Sequence, residues 1–240
     1  MTTNDPISKM NQHPSNPLEK FGPLYHSYLF FGVNNKQIEG IYNLNQISKS
    51  QIITAYIAYA LGNSIESRNT DVSFAELFCA DGYYAMVARN LGCKPCLGID
   101  NNRDKHTNIA PLIAQKLGLD NVSFLESDIL PNAKFGFSDI VANVGGLYHT
   151  EKPEEILIMS YEMSRKFLIV QNVVSLANDS ESYFETPAPG WSWGSRYSRA
   201  SFDALINRLF GSKIIFSHFN ELTGNNRLED RGSVYYLIKK

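Results

Sequence analysis

Apolar residues along the chain fall into short continuous runs and into longer stretches with helical spacing. The clearest combination is residues 72–92, where an apolar run at 72–75 predicts a buried strand. A turn of small residues follows at 77–82, and from Tyr83 apolar positions recur at helical spacing as far as Gly92, a typical helix C-cap. This stretch predicts a strand, a tight turn and a helix whose free backbone N–H groups face whatever lies in the turn.

The rest of the chain continues as alternating strands and helices. Further strands are predicted at residues 95–99, 122–125, 138–143, 167–174, 213–219 and 233–238. Helices are predicted at residues 47–61, capped by Ser48 or Ser50, at 107–117, at 153–166 and at 202–210, capped by Ser201. No helix fits between the last two strands, so we expect them to be antiparallel. The alternation predicts an α/β fold.

The pattern also divides the chain into regions. Residues 1–20 are polar and predict a flexible tail, whereas residues 21–62 are rich in aromatic residues and predict a cap, partly helical, that packs on the main domain. The main domain is predicted at residues 63–240. Within it, residues 175–200 form a long irregular stretch that contains both tryptophans, and long loops of this kind are usually lids or binding loops.

Composition limits where the protein works and what it binds. The 240 residues suffice for one globular domain with a short appendage. A net charge of −2 and a pI of about 6.2 give no overall attraction to nucleic acid or to an anionic membrane. No apolar stretch reaches the roughly 20 residues of a membrane helix, and the N-terminus lacks a secretory signal. We therefore expect a cytoplasmic protein without a membrane partner, whose oligomeric state stays open.

The cysteines support the same compartment. Three cysteines form no disulfide framework, which suits a reducing cytoplasm. Cys93 and Cys96 have the spacing C-x-x-C, but no second pair completes a four-ligand zinc set. We interpret them as cysteines at a strand edge without a redox role, and we expect no metal site.

The turn after the first strand carries the first functional signal. A dinucleotide-binding fingerprint needs small residues at positions 78, 80 and 83, but Phe78 and Tyr83 are large. The turn instead resembles motif I of the class I S-adenosylmethionine-dependent methyltransferases, with Glu76 at the acidic position, Ala80 at a small position and Gly82 at the last glycine. Phe78 departs from the first glycine of that motif. The resemblance implies cofactor contacts at Glu76, Phe78, Cys79, Ala80, Asp81 and Gly82.

A second acidic residue, Asp100, ends the next predicted strand, one strand–helix–strand unit after the first. A carboxylate there can accept hydrogen bonds from both ribose hydroxyls of a cofactor. Capping the following helix is the alternative role. The resemblance implies further cofactor contacts at Asp100, Asn101 and Asn143, with Asp128 receiving the adenine amino group and Ile129 packing on the adenine ring.

The ordered set of these elements resembles the layout of the class I family. The resemblance implies a Rossmann-like three-layer sandwich with a seven-stranded, mostly parallel sheet whose last strand is antiparallel. Open sheets of this kind bind ligands at the carboxyl ends of their strands, where all the candidate residues lie.

The segment GGLYHT, residues 145–150, indicates a branch within the family. It resembles the small-molecule and wobble-uridine tRNA methyltransferases, which often carry a Leu-x-His-type sequence at this point. Amino-directed nucleic-acid methyltransferases carry an Asn/Asp-Pro-Pro-aromatic run here, whereas Asn143 is followed by Val-Gly-Gly. No Pro-Cys nucleophile follows the strand either, so neither base amino groups nor cytosine C5 is the expected target.

Methyl transfer from a sulfonium requires an aligned nucleophile, and a general base where the acceptor must lose a proton. His149 is the predicted base because its ordinary pKa of about 6.5 is suitable and it follows a strand end. A histidine that only hydrogen-bonds the next helix is the alternative. Tyr148 is the second catalytic candidate, with simple packing as its alternative, and His218 is the rival base.

The leading expectation is a methyltransferase that uses S-adenosylmethionine to methylate an oxygen, or a nitrogen, of a small molecule. A wobble-uridine tRNA methyltransferase is the first alternative, weakened by the acidic balance and the lack of Lys/Arg clusters. A non-catalytic S-adenosylmethionine-binding protein, with a pocket narrowed by Phe78, is the second.

Overall fold

A computed structural model describes residues 16–66 and 71–240 of the chain; residues 1–15 of the predicted tail lie outside the described residues. The helices are α1 Tyr42–Gly62, α2 Tyr83–Leu91, α3 Ala110–Lys116, α4 Pro153–Met163 and α5 Arg199–Phe210. The strands are β1 Phe74–Leu77, β2 Cys96–Asp100, β3 Val122–Glu126, β4 Ser138–Val144, β5 Ser164–Val174, β6 Phe184–Glu185, β7 Arg196–Tyr197, β8 Ile214–Glu221 and β9 Gly232–Lys239.

Seven strands form one sheet in the order β3-β2-β1-β4-β5-β9-β8. β1 pairs in parallel with β2 and β4, and Glu76 lies opposite Gly98 on one side and Ala142 on the other. Among the strands described in this sheet, β9 alone is reversed, and it runs antiparallel to both β5 and β8. The predicted seven-stranded, mostly parallel sheet with an antiparallel last strand is confirmed.

Helices cover both faces of the sheet because successive residues of a strand point to opposite faces. Phe74 of β1 and Ile140 of β4 pack in one hydrophobic core with residues of α1, α2 and α3. Leu77 of β1 and Val141 of β4 pack in a second core with residues of α4 and α5. This arrangement is the predicted three-layer sandwich, and it brings the carboxyl ends of β1, β2 and β4 together at one edge.

The segment before α1 packs against the first of these cores. Leu18, Leu24 and Tyr28 are fully buried there, although Leu18 belongs to the predicted tail. A parallel bridge between Leu24 and Gln37 closes the segment on itself. Residues 16–41 therefore run close to the turn that follows β1.

Two helix starts differ from the prediction. α1 begins at Tyr42 without a side-chain cap, so neither Ser48 nor Ser50 caps it. α5 is capped by Ser198, whose Oγ accepts the N–H of Ser201 at 2.9 Å. Ser201 Oγ in turn accepts the N–H of Ser198 at 2.9 Å. The two serines form a reciprocal capping box, which makes Ser201 the third helical residue and not the cap.

Residues 175–200 contain a short antiparallel ribbon formed by β6 and β7. The ribbon rests on the loop after β4, since Ser195 donates its N–H to the carbonyl oxygen of Tyr148 at 3.1 Å. Over the described ranges, no helix combines the length and the apolar character needed to span a membrane.

Candidate active site

A cavity of about 680 Å³ lies at the carboxyl edge of β1, β2 and β4. One wall comes from the turn after β1 and the loops after β2 and β3. The loop after β4 forms a second wall, and the N-terminal segment with α1 forms a third. Small-ligand sites typically have volumes of roughly 300–1,000 Å³, so this cavity can hold a ligand of cofactor size.

The turn after β1 has left-handed backbone at three alternate positions. Phe78, Ala80 and Gly82 have φ angles of 61°, 48° and 79°, a region that strongly favours glycine. The ring of Phe78 packs on Gly146, where an added Cβ would overlap the ring. Phe78 therefore has a backbone conformation that favours glycine, and its ring packs on the loop after β4 while still lining the cavity.

Two carboxylates at the strand ends organise this turn. Glu76 Oε2 accepts the N–H of Ala85, in the first turn of α2, at 2.7 Å. Burial raises the pKa of Glu76 well above its ordinary value, and the Ala85 N–H acts in the opposite direction. Asp100 accepts the N–H of Ala80 at 3.0 Å and that of Asn102 at 2.9 Å, one on each oxygen. Each Asp100 oxygen retains a second lone pair for a ligand.

Three more of the predicted cofactor residues lie beside Asp100 on the cavity wall. Ile129 is buried, whereas Asn101 and Asp128 are exposed to the cavity mouth. Together with Asp100, Asp128 makes this wall acidic. An acidic wall suits a cationic ligand such as a sulfonium because opposite charges attract.

Four predicted cofactor residues lie behind the wall and do not line the cavity. Cys79 is buried against Gly98, and Gly82 lies directly under the ring of Phe124. Asn143 donates from Nδ2 to Ser160 Oγ of α4 at 2.9 Å. Asp81, the fourth, is fully buried, and its carboxylate points to the N-terminal segment.

The predicted catalytic pair, Tyr148 and His149, lines the cavity on the wall after β4. The imidazole of His149 stacks on Trp193, with ring centroids 5.1 Å apart and planes 17° apart, and lies 4.1 Å from the Tyr148 ring. The guanidinium of Arg196 lies 5.3 Å from the centroid of Tyr148. Through Trp193, the 175–200 region contributes directly to this end of the cavity.

Burial and positive charge act on both of these side chains. Desolvation and the Arg196 charge lower the pKa of His149 below its ordinary value. The ring keeps an exposed edge, where water moderates the effect. Burial raises the pKa of Tyr148 to about 12 against the opposing charge of Arg196. Both side chains are therefore neutral near pH 7.

Sequence patterns did not identify the third wall. Tyr25, His26 and Lys49 all line the cavity. Lys49 has no ion pair or hydrogen bond with any residue of the described ranges, and burial lowers its pKa to about 8. The aromatic content of residues 21–62 indicated packing on the main domain, but no local pattern placed these side chains in the cavity.

The other candidates from the sequence lie elsewhere. His218 is on β8, with Nδ1 2.7 Å from Tyr56 Oη, and does not line the cavity. Cys93 and Cys96 are buried free thiols, and burial raises the pKa of Cys93 to about 12. A thiol in such surroundings is a poor nucleophile.

Comparison with known proteins gives structural but not sequence relatives. No family model matches the chain, and no curated protein matches it in sequence. Solved structures do match. The N-terminal domain of EvdMO1, with S-adenosylhomocysteine bound, is similar with a TM-score of 0.63 and 15% identity over 92% of each chain.

Two further structures have the same fold. Magnesium protoporphyrin IX methyltransferase from Synechocystis PCC 6803, with bound S-adenosylhomocysteine, gives a TM-score of 0.60 at 14% identity, covering 90% of this chain and 96% of that one. Coclaurine N-methyltransferase, bound to N-methylheliamine and S-adenosylhomocysteine, gives 0.56 at 12% identity, covering 78% and 72%. The fold of class I methyltransferases, which the sequence resemblance implied, is confirmed.

Proposed function

We propose that this chain, which has the class I methyltransferase fold, transfers a methyl group from S-adenosylmethionine to an oxygen or a nitrogen of a small molecule. The observation that carries this proposal is the grouping of Asp100, Asp128 and Ile129 on one wall of a single cavity. That wall lies at the carboxyl edge of the sheet, where open α/β folds bind their ligands.

Each residue of this wall has a proposed role toward the cofactor. Asp100, already fixed by two backbone N–H groups, would accept the ribose hydroxyls with its remaining lone pairs. Asp128 would accept the adenine amino group while Ile129 packs on the ring. The Phe78 ring packs on Gly146 and lines the cavity, whose volume of about 680 Å³ is still sufficient for a ligand of cofactor size, which supports the catalytic hypothesis over the non-catalytic alternative.

The opposite end of the cavity would hold the acceptor. Tyr148, His149 and Trp193 offer aromatic surface for a small organic molecule. Lys49 offers an ammonium group without an anionic partner in the described ranges. A half-buried ammonium group without an anionic partner attracts an opposite charge, so we infer that the acceptor carries a carboxylate or another anionic group beside Lys49.

Alignment is the main contribution that this chain would make to the reaction. Holding the acceptor and the methyl in line within an enclosed site supplies up to roughly 7–11 kcal/mol in model systems. S-adenosylmethionine supplies an activated methyl on a sulfonium. The acidic wall would hold the cofactor, while the aromatic wall and Lys49 would orient the acceptor.

Calorimetry with S-adenosylmethionine and S-adenosylhomocysteine tests the cofactor half of this function. Release of S-adenosylhomocysteine in the presence of a panel of small phenols, carboxylic acids and amines then tests the acceptor half. We expect both cofactor forms to bind and an anionic acceptor to be turned over. If the protein bound neither S-adenosylmethionine nor S-adenosylhomocysteine, the proposal would be contradicted.

The wobble-uridine alternative rests on the GGLYHT segment alone. Bulk tRNA binding that weakens steeply with salt would favour it, because phosphate contacts dominate nucleic-acid affinity. We also propose that the protein works in the cytoplasm, since all three cysteines are free thiols.

A further inference from the structure

A histidine and an aspartate from distant parts of the chain form a pair at the cavity wall. His26 Nδ1 lies 2.5 Å from Asp81 Oδ1, and the backbone N–H of His26 donates to Asp81 Oδ2 at 3.0 Å. The side chains are 11% and 0% exposed, respectively. Asp81 thus holds both the imidazole and the backbone of His26, and the His26 side chain lines the cavity while the carboxylate stays behind it.

Aromatic rings fix the plane of this imidazole. His26 stacks on Tyr83, with centroids 4.9 Å apart and planes 20° apart. The rings of Tyr25 and Tyr84 meet it edge-on at 4.8 Å and 5.9 Å. With Nδ1 committed to Asp81, the free nitrogen is Nε2, to which no residue of 16–66 or 71–240 is hydrogen-bonded.

The carboxylate decides which nitrogen carries the proton in the neutral ring. An ionised Asp81 can only accept a hydrogen bond, so Nδ1 donates and Nε2 keeps its lone pair. Nε2 is therefore the ring atom that can accept a proton, and the buried carboxylate of Asp81 lies on the other side of the ring. Burial raises the pKa of the three facing phenols, Tyr25, Tyr83 and Tyr84, so they remain neutral near pH 7.

His149, the base expected from the sequence, has the opposite surroundings. Arg196, Lys49 and Arg103 all oppose a positive charge on its ring, and Asp104 favours it. Its ring contacts are aromatic. No carboxylate of the described ranges hydrogen-bonds His149, whereas Asp81 holds the ring of His26.

Resting on the methyl-transfer function proposed above, we propose that His26 is the general base of the reaction and that Asp81 is its positioning residue. The acceptor O–H or N–H gives its proton to His26 Nε2, and the electron pair of the acceptor atom forms the new bond to the methyl carbon. The electrons of the broken carbon–sulfur bond remain on sulfur, and the imidazolium later releases its proton to water.

Kinetics of four variants test this assignment, using the acceptor from the panel that the wild type methylates fastest. His26→Gln should lower kcat by about 10²–10⁴-fold while the dissociation constant of S-adenosylmethionine changes little. Asp81→Asn should lower kcat less than His26→Gln and leave the KM of the acceptor little changed, because an amide no longer fixes which ring nitrogen carries the proton. His149→Gln tests the rival base, and His218→Gln, outside the cavity, is the matched control.

An imidazole ¹⁵N spectrum gives a second test that does not depend on turnover. With ¹⁵N-histidine label and S-adenosylhomocysteine bound, we expect His26 to show a protonated Nδ1 and an unprotonated Nε2, assigned by loss of its signals in His26→Gln. A neutral ring protonated on Nε2 would overturn the proposal. If His26→Gln turned over as fast as the wild type, only the role of His26 would be overturned. If the wild-type protein released no S-adenosylhomocysteine with any acceptor, the methyl-transfer function itself would be overturned.

Discussion

The ring of Phe78 occupies the space that a Cβ on Gly146 would need. Phe78 follows β1 and Gly146 follows β4, so this contact joins the turn of motif I to the loop that carries Tyr148 and His149. The bulky residue and the glycine are therefore complementary, which explains how a phenylalanine is accommodated at a position where the resembling family has glycine.

This contact predicts a steric coupling between the two positions. Gly146 has φ −114° and ψ −34°, which any residue can adopt, so Gly146→Ala acts through the Phe78 ring alone. We expect a loss of about 1–3 kcal/mol in the free energy of unfolding, measured in urea. In the Phe78→Ala background the same change should cost clearly less; additive effects in the double-mutant cycle would contradict the coupling.

Asp100→Ala should weaken cofactor binding. Loss of a charged acceptor for the ribose hydroxyls costs about 1–3 kcal/mol, which calorimetry with S-adenosylhomocysteine would record as roughly a 5- to 150-fold rise in Kd. Asp120→Ala, at an exposed carboxylate paired with Arg89 outside the cavity, is the control. An unchanged affinity in folded Asp100→Ala would remove Asp100 from the site.

Asp128 should determine recognition of the adenine amino group. Wild type is expected to prefer S-adenosylhomocysteine to an analogue without that amino group, because a site that hydrogen-bonds a ligand group discriminates against an analogue that lacks it. Asp128→Ala should bind the two with similar affinity. Competition binding of the two ligands to each protein measures this, and undiminished discrimination in the variant would refute the adenine assignment.

Lys49 should make acceptor binding depend on pH. Its pKa is lowered to about 8, so its positive charge is lost as the pH rises through that value. We expect the KM of an anionic acceptor to rise between about pH 7 and pH 9 in wild type but not in Lys49→Gln. At pH 7 the variant should raise this KM by about 10-fold or more with little change in kcat. Lys36→Gln, on the exposed side of the N-terminal segment, is the control.

His149 should affect stability in acid. Its pKa in the folded protein is lowered below the ordinary value of about 6.5, so the unfolded chain takes up this proton first. The stabilisation is present above about pH 6.5 and is lost as the pH falls below it. Urea unfolding should therefore show a larger loss between about pH 7.5 and pH 5.5 in wild type than in His149→Gln. An equal loss in both proteins would show that His149 is not held neutral.

The sequence by itself determined the sheet and the acidic wall of the site. Hydrophobic periodicity and secondary-structure propensity act over a few residues. The strand, turn and helix of residues 72–92 and the later alternation of strands and helices could therefore be predicted directly from the sequence. Asp100 was predictable from its position at a strand end, because parallel strands end at the same edge of the sheet, whereas Asp128 and Ile129 were expected from the family resemblance. The choice of Ser198 over Ser201 as cap was not predictable, since both serines have the chemistry of a cap and the start of α5 at Arg199 decides between them.

Only the tertiary structure decided what faces the acidic wall. His26 and Asp81 are far apart in the sequence, and their contact exists because Leu18, Leu24 and Tyr28 bury the N-terminal segment beside the turn after β1. The hydrophobic effect is non-directional, so the local sequence pattern of a buried segment does not indicate which part of the protein it packs against. Likewise, the pKa of a predicted base such as His149 depends on the cations and aromatic rings that the fold brings around it.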